Sequence, residues 1–246
     1  GAIITAGPGM IVEVTRPRDL GIALSVWSMY MPGGFAVVMA LSPLIASPED
    51  WRHIWWLNAA VATAYLVLFL SVCRDVGQRP TEQRRLKGLS QTLKRPGPWL
   101  LGTAFGLYTI QWFGVLPWLP SMMKLAGLST AQAGWGVALV VGGNAFGALA
   151  AGFVLQRGVP RWLIIAGCSL GLGLCTLGIF DDSLPIVWRL ALAGLFSTVG
   201  GLLPGSVLSG AAVHSPSPAQ VGVVNGMVAQ CTHLGSLLGP PLVALV

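Results

Sequence analysis

The feature that most constrains this chain is a series of long apolar blocks separated by short polar breaks. About 20 consecutive apolar residues span the hydrocarbon core of a bilayer as a helix. Seven full blocks and one partial block therefore predict a polytopic membrane protein. The predicted spans are 1–12 (partial), 20–46, 51–73, 97–118, 132–155, 162–180, 184–209 and 219–246.

Composition and local pattern argue against a soluble domain and against a membrane β-barrel. Only 9% of the residues are charged, whereas soluble domains carry roughly 25%. Strands of a membrane barrel alternate apolar and polar residues with a period of two. The run Val137-Ala-Leu-Val-Val is instead continuously apolar. We therefore predict an all-α membrane protein embedded in the lipid bilayer.

The positive charges concentrate in alternate breaks between the blocks. Eleven of the 14 Lys and Arg residues follow the first, third and fifth blocks. Loops rich in Lys and Arg face the cytoplasm, so these breaks are predicted to be cytoplasmic. The net charge of +6 is explained in this way, and no DNA or RNA recognition motif accompanies it. We expect no nucleic-acid partner.

The longest polar stretch divides the chain into two groups of helices. Residues 74–96 hold most of the predicted cytoplasmic charge and separate residues 1–73 from residues 97–246. Many transporters consist of two such bundles with the binding site between them. The first block begins inside an apolar run and the last ends without a polar tail. We therefore expect an incomplete two-bundle fold.

Motifs for metal binding and catalysis are missing from the sequence. The four cysteines show no CxxC spacing, which makes packing their expected role. No HExxH or G-x-S-x-G pattern and no phosphate-binding Gly-Lys loop occurs. We predict neither a cofactor nor an enzymatic activity.

Small residues at four-residue spacing predict close helix contacts within the membrane. Gly143, Gly147 and Ala151 share one face of a predicted helix, and Gly167 and Gly171 share another. Small side chains let helix backbones approach closely in lipid. Both faces are predicted to pack against neighbouring helices, although in a transporter such faces could also slide.

Arg189 is the clearest charged residue at membrane depth. It lies about five residues, or roughly 7 Å at 1.5 Å per residue, inside its block. Its guanidinium could bind an anionic substrate, since its planar donors match a carboxylate. The alternative is that this long side chain extends to the nearby interface and packs there.

Uncharged polar and aromatic residues near the centres of the blocks complete the predicted binding site. They are Trp27, Tyr30, Gln111, Trp112, Asn144, Asn225, Gln230 and His233. For each one the alternative is a hydrogen bond between neighbouring helices. His233 could also carry a coupling proton, because the pKa of an unperturbed imidazole is about 6.5.

Three charged residues near the first cytoplasmic break are candidates for a gate. Glu13, Arg16 and Arg18 lie where one helix ends, and such charges can pair across the closed side of a transporter. Ordinary solvated loop charge is the alternative interpretation.

Three stretches of the sequence stand out: Asp50-Trp-Arg-His-Ile-Trp-Trp-Leu-Asn, the glycine-rich run from Gly226 to Pro241, and the basic loop that follows Gly152. Together they resemble the major facilitator superfamily, most closely its cyanate and nitroimidazole permease-like branch. The segment Asp50-Trp-Arg-His-Ile-Trp-Trp-Leu-Asn is similar to the start of helix six of that family. Gly226-x-x-x-Gln230 and Gly235-x-x-x-Gly239-Pro-Pro resemble its helix eleven. Gly152, Arg157 and Arg161 resemble its basic loop motif and imply a gating role, but Gln156 stands where an acidic residue is usual.

The resemblance covers essentially the whole chain and implies a function. The blocks match the end of helix four through helix eleven of a twelve-helix permease. The family implies a monomeric secondary active transporter in a bacterial inner membrane. It would move a small solute, such as an anion, together with protons by alternating access. The alternatives are a membrane receptor or assembly subunit that moves nothing, and an intramembrane enzyme.

Overall fold

The computed structural model describes residues 2–16, 18–45, 51–72, 89–217 and 220–245, and in these ranges the regular structure is helical, without strands. The helices are α1 Ala2–Val14, α2 Leu20–Ser28, α3 Tyr30–Ile45, α4 Arg52–Val72, α5 Pro96–Val115, α6 Leu119–Leu125, α7 Thr130–Gln156, α8 Arg161–Ile179, α9 Ile186–His214 and α10 Val221–Ala244. A single 3-10 turn, Leu116–Trp118, joins α5 to α6. The prediction of an all-α fold is confirmed.

Six spans in the described part of the chain are long and apolar enough to cross a membrane. Two of them combine neighbouring helices, since Leu20–Ile45 contains α2 and α3 and Pro96–Leu125 contains α5 and α6. The 24-residue α10 is long enough but less apolar, because Asn225, Gln230 and His233 interrupt its apolar sequence. Residues 73–88, which hold most of the predicted central loop, lie outside the described ranges.

Local sequence signals account for where α7 begins and ends. The Ser129 hydroxyl accepts a hydrogen bond from the Gln132 backbone N–H at 3.2 Å, and the Gln132 side chain accepts one from the Ser129 N–H at 2.8 Å. This capping box satisfies two donors that a helix start leaves unpaired. After Gln156 the chain turns at Gly158, whose φ of 83° favours glycine.

Glycines bring α7 and α9 into backbone contact. A Cβ on Gly147 would overlap the Thr198 carbonyl oxygen, and one on Gly201 would overlap the Asn144 carbonyl oxygen. A Cβ on Gly143 would also fall only 2.5 Å from the Thr198 Oγ1. The prediction of a packing face at Gly143, Gly147 and Ala151 is therefore confirmed, since close backbone approach needs small residues.

The prediction that Gly167 and Gly171 form a close contact with a neighbouring helix is wrong. A Cβ on Gly167 would meet nothing within 4 Å, and one on Gly171 would make only an ordinary contact with Val199 at 3.5 Å. On α8 the buried side is formed instead by larger residues such as Leu172 and Ile179. Glycine spacing alone did not identify the buried face.

A second close crossing joins α5 to α10. A Cβ on Gly235 would overlap the Gly106 carbonyl oxygen, and one on Gly239 would lie 2.6 Å from the Ile110 carbonyl oxygen. The Thr109 hydroxyl lies at this crossing, 2.8 Å from the Gly106 carbonyl of its own helix and 3.2 Å from the Thr232 carbonyl of α10. The two glycine crossings fix the positions of four helices that surround a cavity.

The first group of helices packs against the second through α2 and α3. At one end, a Cβ on Gly152 of α7 would lie 2.9 Å from the Ser25 hydroxyl of α2. At the other end, a Cβ on Gly134 of α7 would lie 2.8 Å from Pro43 of α3. By contrast, α4 contains no buried residue.

Candidate functional site

An elongated cavity of about 330 Å³ lies where α2 and α3 meet α5, α7, α9 and α10. From Asn225 to Ser236 its lining follows α10 for 11 residues, or roughly 17 Å at 1.5 Å per residue. The lining residues are Trp27, Ser28, Tyr30, Met31, Pro32, Phe105, Tyr108, Thr109, Trp112, Phe113, Asn144, Pro204, Leu208, Asn225, Val228, Ala229, Thr232, His233 and Ser236.

Six of the nine residues predicted to bind substrate line this cavity. They are Trp27, Tyr30, Trp112, Asn144, Asn225 and His233. They come from five helices spread between residues 20 and 244, and the fold brings them around one space. The Trp27 and Tyr30 rings lie 5.4 Å apart between centroids and form one part of the wall.

The other three predicted residues lie outside the cavity lining. Gln230 is exposed on α10. Gln111 directs its Oε1 atom into a buried position where it has no hydrogen-bond partner among the described residues. Arg189 donates to the Ile179 carbonyl at 2.7 Å and to the Asp182 carboxylate at 2.8 Å. These bonds account for Arg189 without a ligand, and substrate binding by these three residues stays a prediction.

The short loop between α8 and α9 is held by further hydrogen bonds. The Ser183 hydroxyl donates to the Asp181 carboxylate at 2.6 Å, and the Ser183 backbone N–H donates to the same oxygen at 2.9 Å. Both bonds favour the ionised carboxylate, so they hold the pKa of Asp181 below its usual value. Together with the bonds of Arg189, they fix the connection between the two helices.

Tyr108 is a buried cavity residue that sequence reasoning missed. Its hydroxyl accepts a hydrogen bond from the Asn144 Nδ2 at 2.9 Å, and the same nitrogen donates to the Ser197 carbonyl at 2.9 Å. A signal was present in the sequence, because Tyr108 precedes Trp112 by four residues and residues at that spacing share a helix face.

Two polar side chains of the cavity wall lack hydrogen-bond partners in the part of the chain that the structure describes. They are Trp112, through its Nε1, and Asn225, through both its Nδ2 and its Oδ1. An unpaired buried polar group costs about 1–3 kcal/mol. Both residues line the cavity, but these particular atoms have almost no accessible surface in this structure.

The described wall of the cavity carries no Lys, Arg, Asp or Glu residue. His233 is the one imidazole in this lining. Groups of three or more His, Cys, Asp or Glu that could hold a metal ion are also absent from the described residues. The described lining of the cavity therefore presents mainly apolar surface with a few hydrogen-bonding groups.

The predicted gating residues are not joined to one another in the described structure. Arg18 contacts Asp19 at 3.4 Å in an exposed pair, and Arg161 donates to the Ser206 carbonyl at 2.9 Å. Arg16 and Arg157 are exposed, and the Glu13 side chain lies outside the described part. Their gating role stays a prediction.

Gln156, which replaces the usual acidic residue of the loop motif, forms a contact between the two helix groups. Its side-chain amide donates to the Arg18 backbone carbonyl at 3.2 Å. This bond joins the end of α7 to the turn before α2 without a charged pair. It provides an uncharged contact at the place where the resemblance implied a gate.

The fold and the cavity define a multi-pass integral membrane protein with a cavity between two groups of helices. The model of the Major Facilitator Superfamily matches residues 1–240, so the chain belongs to that family. It is 27% identical over 226 residues to the cyanate transport protein CynX of Escherichia coli K12. This alignment covers 90% of this chain and 56% of that protein. It is 29% identical to the human monocarboxylate transporter 11, over 93% of this chain and 50% of that protein. The chain thus spans about half the length of these relatives.

Proposed function

We propose that this chain forms most of the substrate pathway of a secondary active transporter that works by alternating access. The observation that carries the proposal is the cavity of about 330 Å³ between α2–α3 and the helices after residue 96. Transporters of two bundles bind their substrate at that interface and rock about it. We assign residues 1–73 to the first bundle, 74–96 to a cytoplasmic loop and 97–246 to the second bundle.

The proposed substrate is a small anion that moves together with a proton. Two relatives are named for cyanate and monocarboxylate transport, and both of these solutes are small anions. The described cavity wall has no Lys, Arg, Asp or Glu, and moving an anion with one proton keeps the transported unit neutral. This agrees with the high cost of an uncompensated charge inside a membrane.

His233 is the proposed carrier of the coupling proton. It lines the cavity, and an imidazole ring can both bind and release a proton. The His233→Gln variant should therefore lose most of the dependence of uptake on pH. Uptake by this variant with the full pH dependence of the unmodified protein would remove His233 from the mechanism.

Anion flux into vesicles tests the proposed function. The complete gene product that carries this chain is reconstituted into liposomes, and uptake of labelled cyanate and lactate is measured with an imposed pH gradient. We expect accumulation of at least one anion when the inside is alkaline, and collapse of that accumulation when a protonophore is added. A receptor or an assembly subunit predicts no flux above that of protein-free vesicles, which would contradict the proposal.

In the cell we place the protein in a bacterial inner membrane as a monomer. The site needs no cofactor for this activity, since binding and rocking require only differential affinity for the two states. Elution of the purified protein at the mass of one copy, measured by light scattering in detergent, checks the oligomeric part of this proposal.

A further inference from the structure

We propose that Tyr108 and Trp112 form a pair of uncharged hydrogen-bond donors that binds the anionic end of the solute. The proposal rests on the proposed function and identifies its binding chemistry. Both residues line the cavity and both are at least 95% buried. The favoured ligand group is one that only accepts hydrogen bonds, such as a carboxylate or a cyanate ion.

The hydrogen bonds of Asn144 determine what the Tyr108 hydroxyl can do. The Ser197 carbonyl can only accept, so the amide nitrogen of Asn144 must face it. That nitrogen also lies 2.9 Å from the Tyr108 hydroxyl oxygen, which therefore acts as the acceptor in this second bond. The Tyr108 O–H proton is left free to donate to another group.

Accepting a bond from Asn144 also makes Tyr108 a better donor. Hydrogen bonds in a chain polarise one another and become stronger, and the low dielectric of a buried site increases the effect. The Phe105 ring stacks against Tyr108 with 5.7 Å between centroids, which restricts the orientation of the phenol. Asn144 is thus a positioning residue for Tyr108.

Trp112 supplies the second donor. Its indole Nε1 can only donate, is buried, and has no acceptor among the described residues. Its ring is fixed by edge contacts with Phe113, at 5.0 Å between centroids, and with Phe35, at 6.3 Å. Such an unpaired buried donor is expensive to maintain. It has almost no accessible surface in this structure, so the proposal requires the wall beside it to open when the anion binds.

The spacing of the two residues lets them act on one small group. Tyr108 and Trp112 are four residues apart on α5, which places them on the same helix face with a rise of roughly 6 Å. A group with two acceptor atoms can lie between them, whereas an ammonium or amidinium group would bring donors against donors. Although neither residue has a positive charge, the pair therefore favours ligand groups that accept hydrogen bonds over groups that only donate them.

Equilibrium binding to the purified complete gene product tests the donor pair independently of transport. The probes are benzoate, which only accepts, benzamidine, which has a similar shape but only donates, and cyanate. We expect benzoate or cyanate to bind and benzamidine not to compete. Equal binding of benzoate and benzamidine, or no binding of either anion, would overturn the proposal.

Matched variants locate the effect at the two residues. Tyr108→Phe and Trp112→Phe should each raise the Kd of the bound anion about tenfold, since each removes one donor to a charged acceptor. The controls Tyr65→Phe and Trp188→Phe alter exposed residues and should leave the Kd unchanged. Unchanged Kd values for both Tyr108→Phe and Trp112→Phe would contradict the proposal.

A double variant tests the positioning role of Asn144. As a single substitution, Asn144→Leu should weaken anion binding. Added to Tyr108→Phe, it should weaken anion binding no further. Additive effects would show that Asn144 acts by some other route. If the protein transports anions but the variants bind them as tightly as the unmodified protein, the donor pair is refuted and the proposed function stands. If the variants show the expected loss of binding but the protein transports no anion, the proposed function alone is refuted.

Discussion

Helices α4 and α7 are almost equally apolar and differ completely in their surroundings. Their mean hydropathies over the best 18-residue windows are 1.7 and 1.9. Yet α4, Arg52–Val72, has no buried residue, whereas α7, Thr130–Gln156, has eleven. Hydropathy therefore identifies both helices as membrane spans but does not tell which one packs inside the bundle.

Among the described residues, this difference in burial coincides with a difference in the content of small residues. Helix α7 contains six glycines and α4 contains none. At Gly147 the neighbouring α9 comes so close that no side chain fits. Apolar attraction is weak between helices in lipid, so this close packing must supply much of the association. Matched substitutions in the two helices can test this explanation.

The largest effect is expected for a leucine at the crossing of α7 and α9. The Cβ of Gly147→Leu would overlap the Thr198 carbonyl, and the two helices would have to move apart to remove this overlap. The expected loss in the free energy of unfolding is about 3 kcal/mol or more. The matched Ala62→Leu variant adds the same kind of bulk on exposed α4 and should have little effect. Thermal unfolding in detergent measures both, and equal melting temperatures would break the comparison.

A smaller effect is expected at the two asparagines. Asn144→Leu removes a buried hydrogen bond between α7 and the Ser197 carbonyl of α9 and should cost about 1–2 kcal/mol. Asn58 on α4 bonds only to the Ile54 carbonyl of its own helix, at 2.9 Å, so Asn58→Leu should be nearly neutral. Unfolding curves in detergent rank the two variants. A larger loss for Asn58→Leu would contradict the assignment of buried and exposed helices.

Two arginines at helix starts provide the next comparison. Arg189 ties α9 to the end of α8 through the Ile179 carbonyl and Asp182, so Arg189→Gln should cost about 1 kcal/mol. Arg52 at the start of α4 lies over the exposed Trp51 ring at 4.9 Å, and Arg52→Gln should cost less. Anion uptake by Arg189→Gln is measured alongside its melting temperature. Lost uptake at an unchanged melting temperature would instead assign Arg189 to substrate binding.

The smallest effect concerns the pH dependence of the loop between α8 and α9. Because its pKa is lowered in the folded protein, Asp181 stabilises the fold above its unfolded pKa of about 4, and this contribution is lost as the pH falls through the lowered value. In the Asp181→Asn variant, the melting temperature should therefore change less with pH between about pH 2 and pH 5. Ser183→Ala, which removes one of the two bonds, should give an intermediate curve.

The sequence predicted the helical spans well, because a bilayer imposes length and apolarity on each helix by itself. It also predicted the packing face of Gly143 and Gly147, and it singled out residues such as Trp27 and Asn225 that the fold brings to one cavity. The signal was either small residues at four-residue spacing or a polar or aromatic residue near the centre of an apolar block.

The remaining features depend on which helices are neighbours, which no single span reveals. The crossing of Gly106 with Gly235 requires α5 beside α10, although 128 residues separate the two glycines along the chain. The free proton of Tyr108 likewise follows from a bond to Asn144 on α7 that is itself fixed by a carbonyl of α9. Sequence periodicity describes one helix at a time and does not show which helices, distant along the chain, are in contact.

The most direct test of the cavity as the transport site is to fill it. Ala229 lines the cavity on α10, and Ala229→Trp in the complete gene product would occupy much of the space. Ala62→Trp on exposed α4 is the matched control. In vesicle uptake of labelled cyanate or lactate, we predict no transport by Ala229→Trp and normal transport by Ala62→Trp, with both proteins eluting as folded species. Uptake by Ala229→Trp at the rate of the unmodified protein would contradict the account.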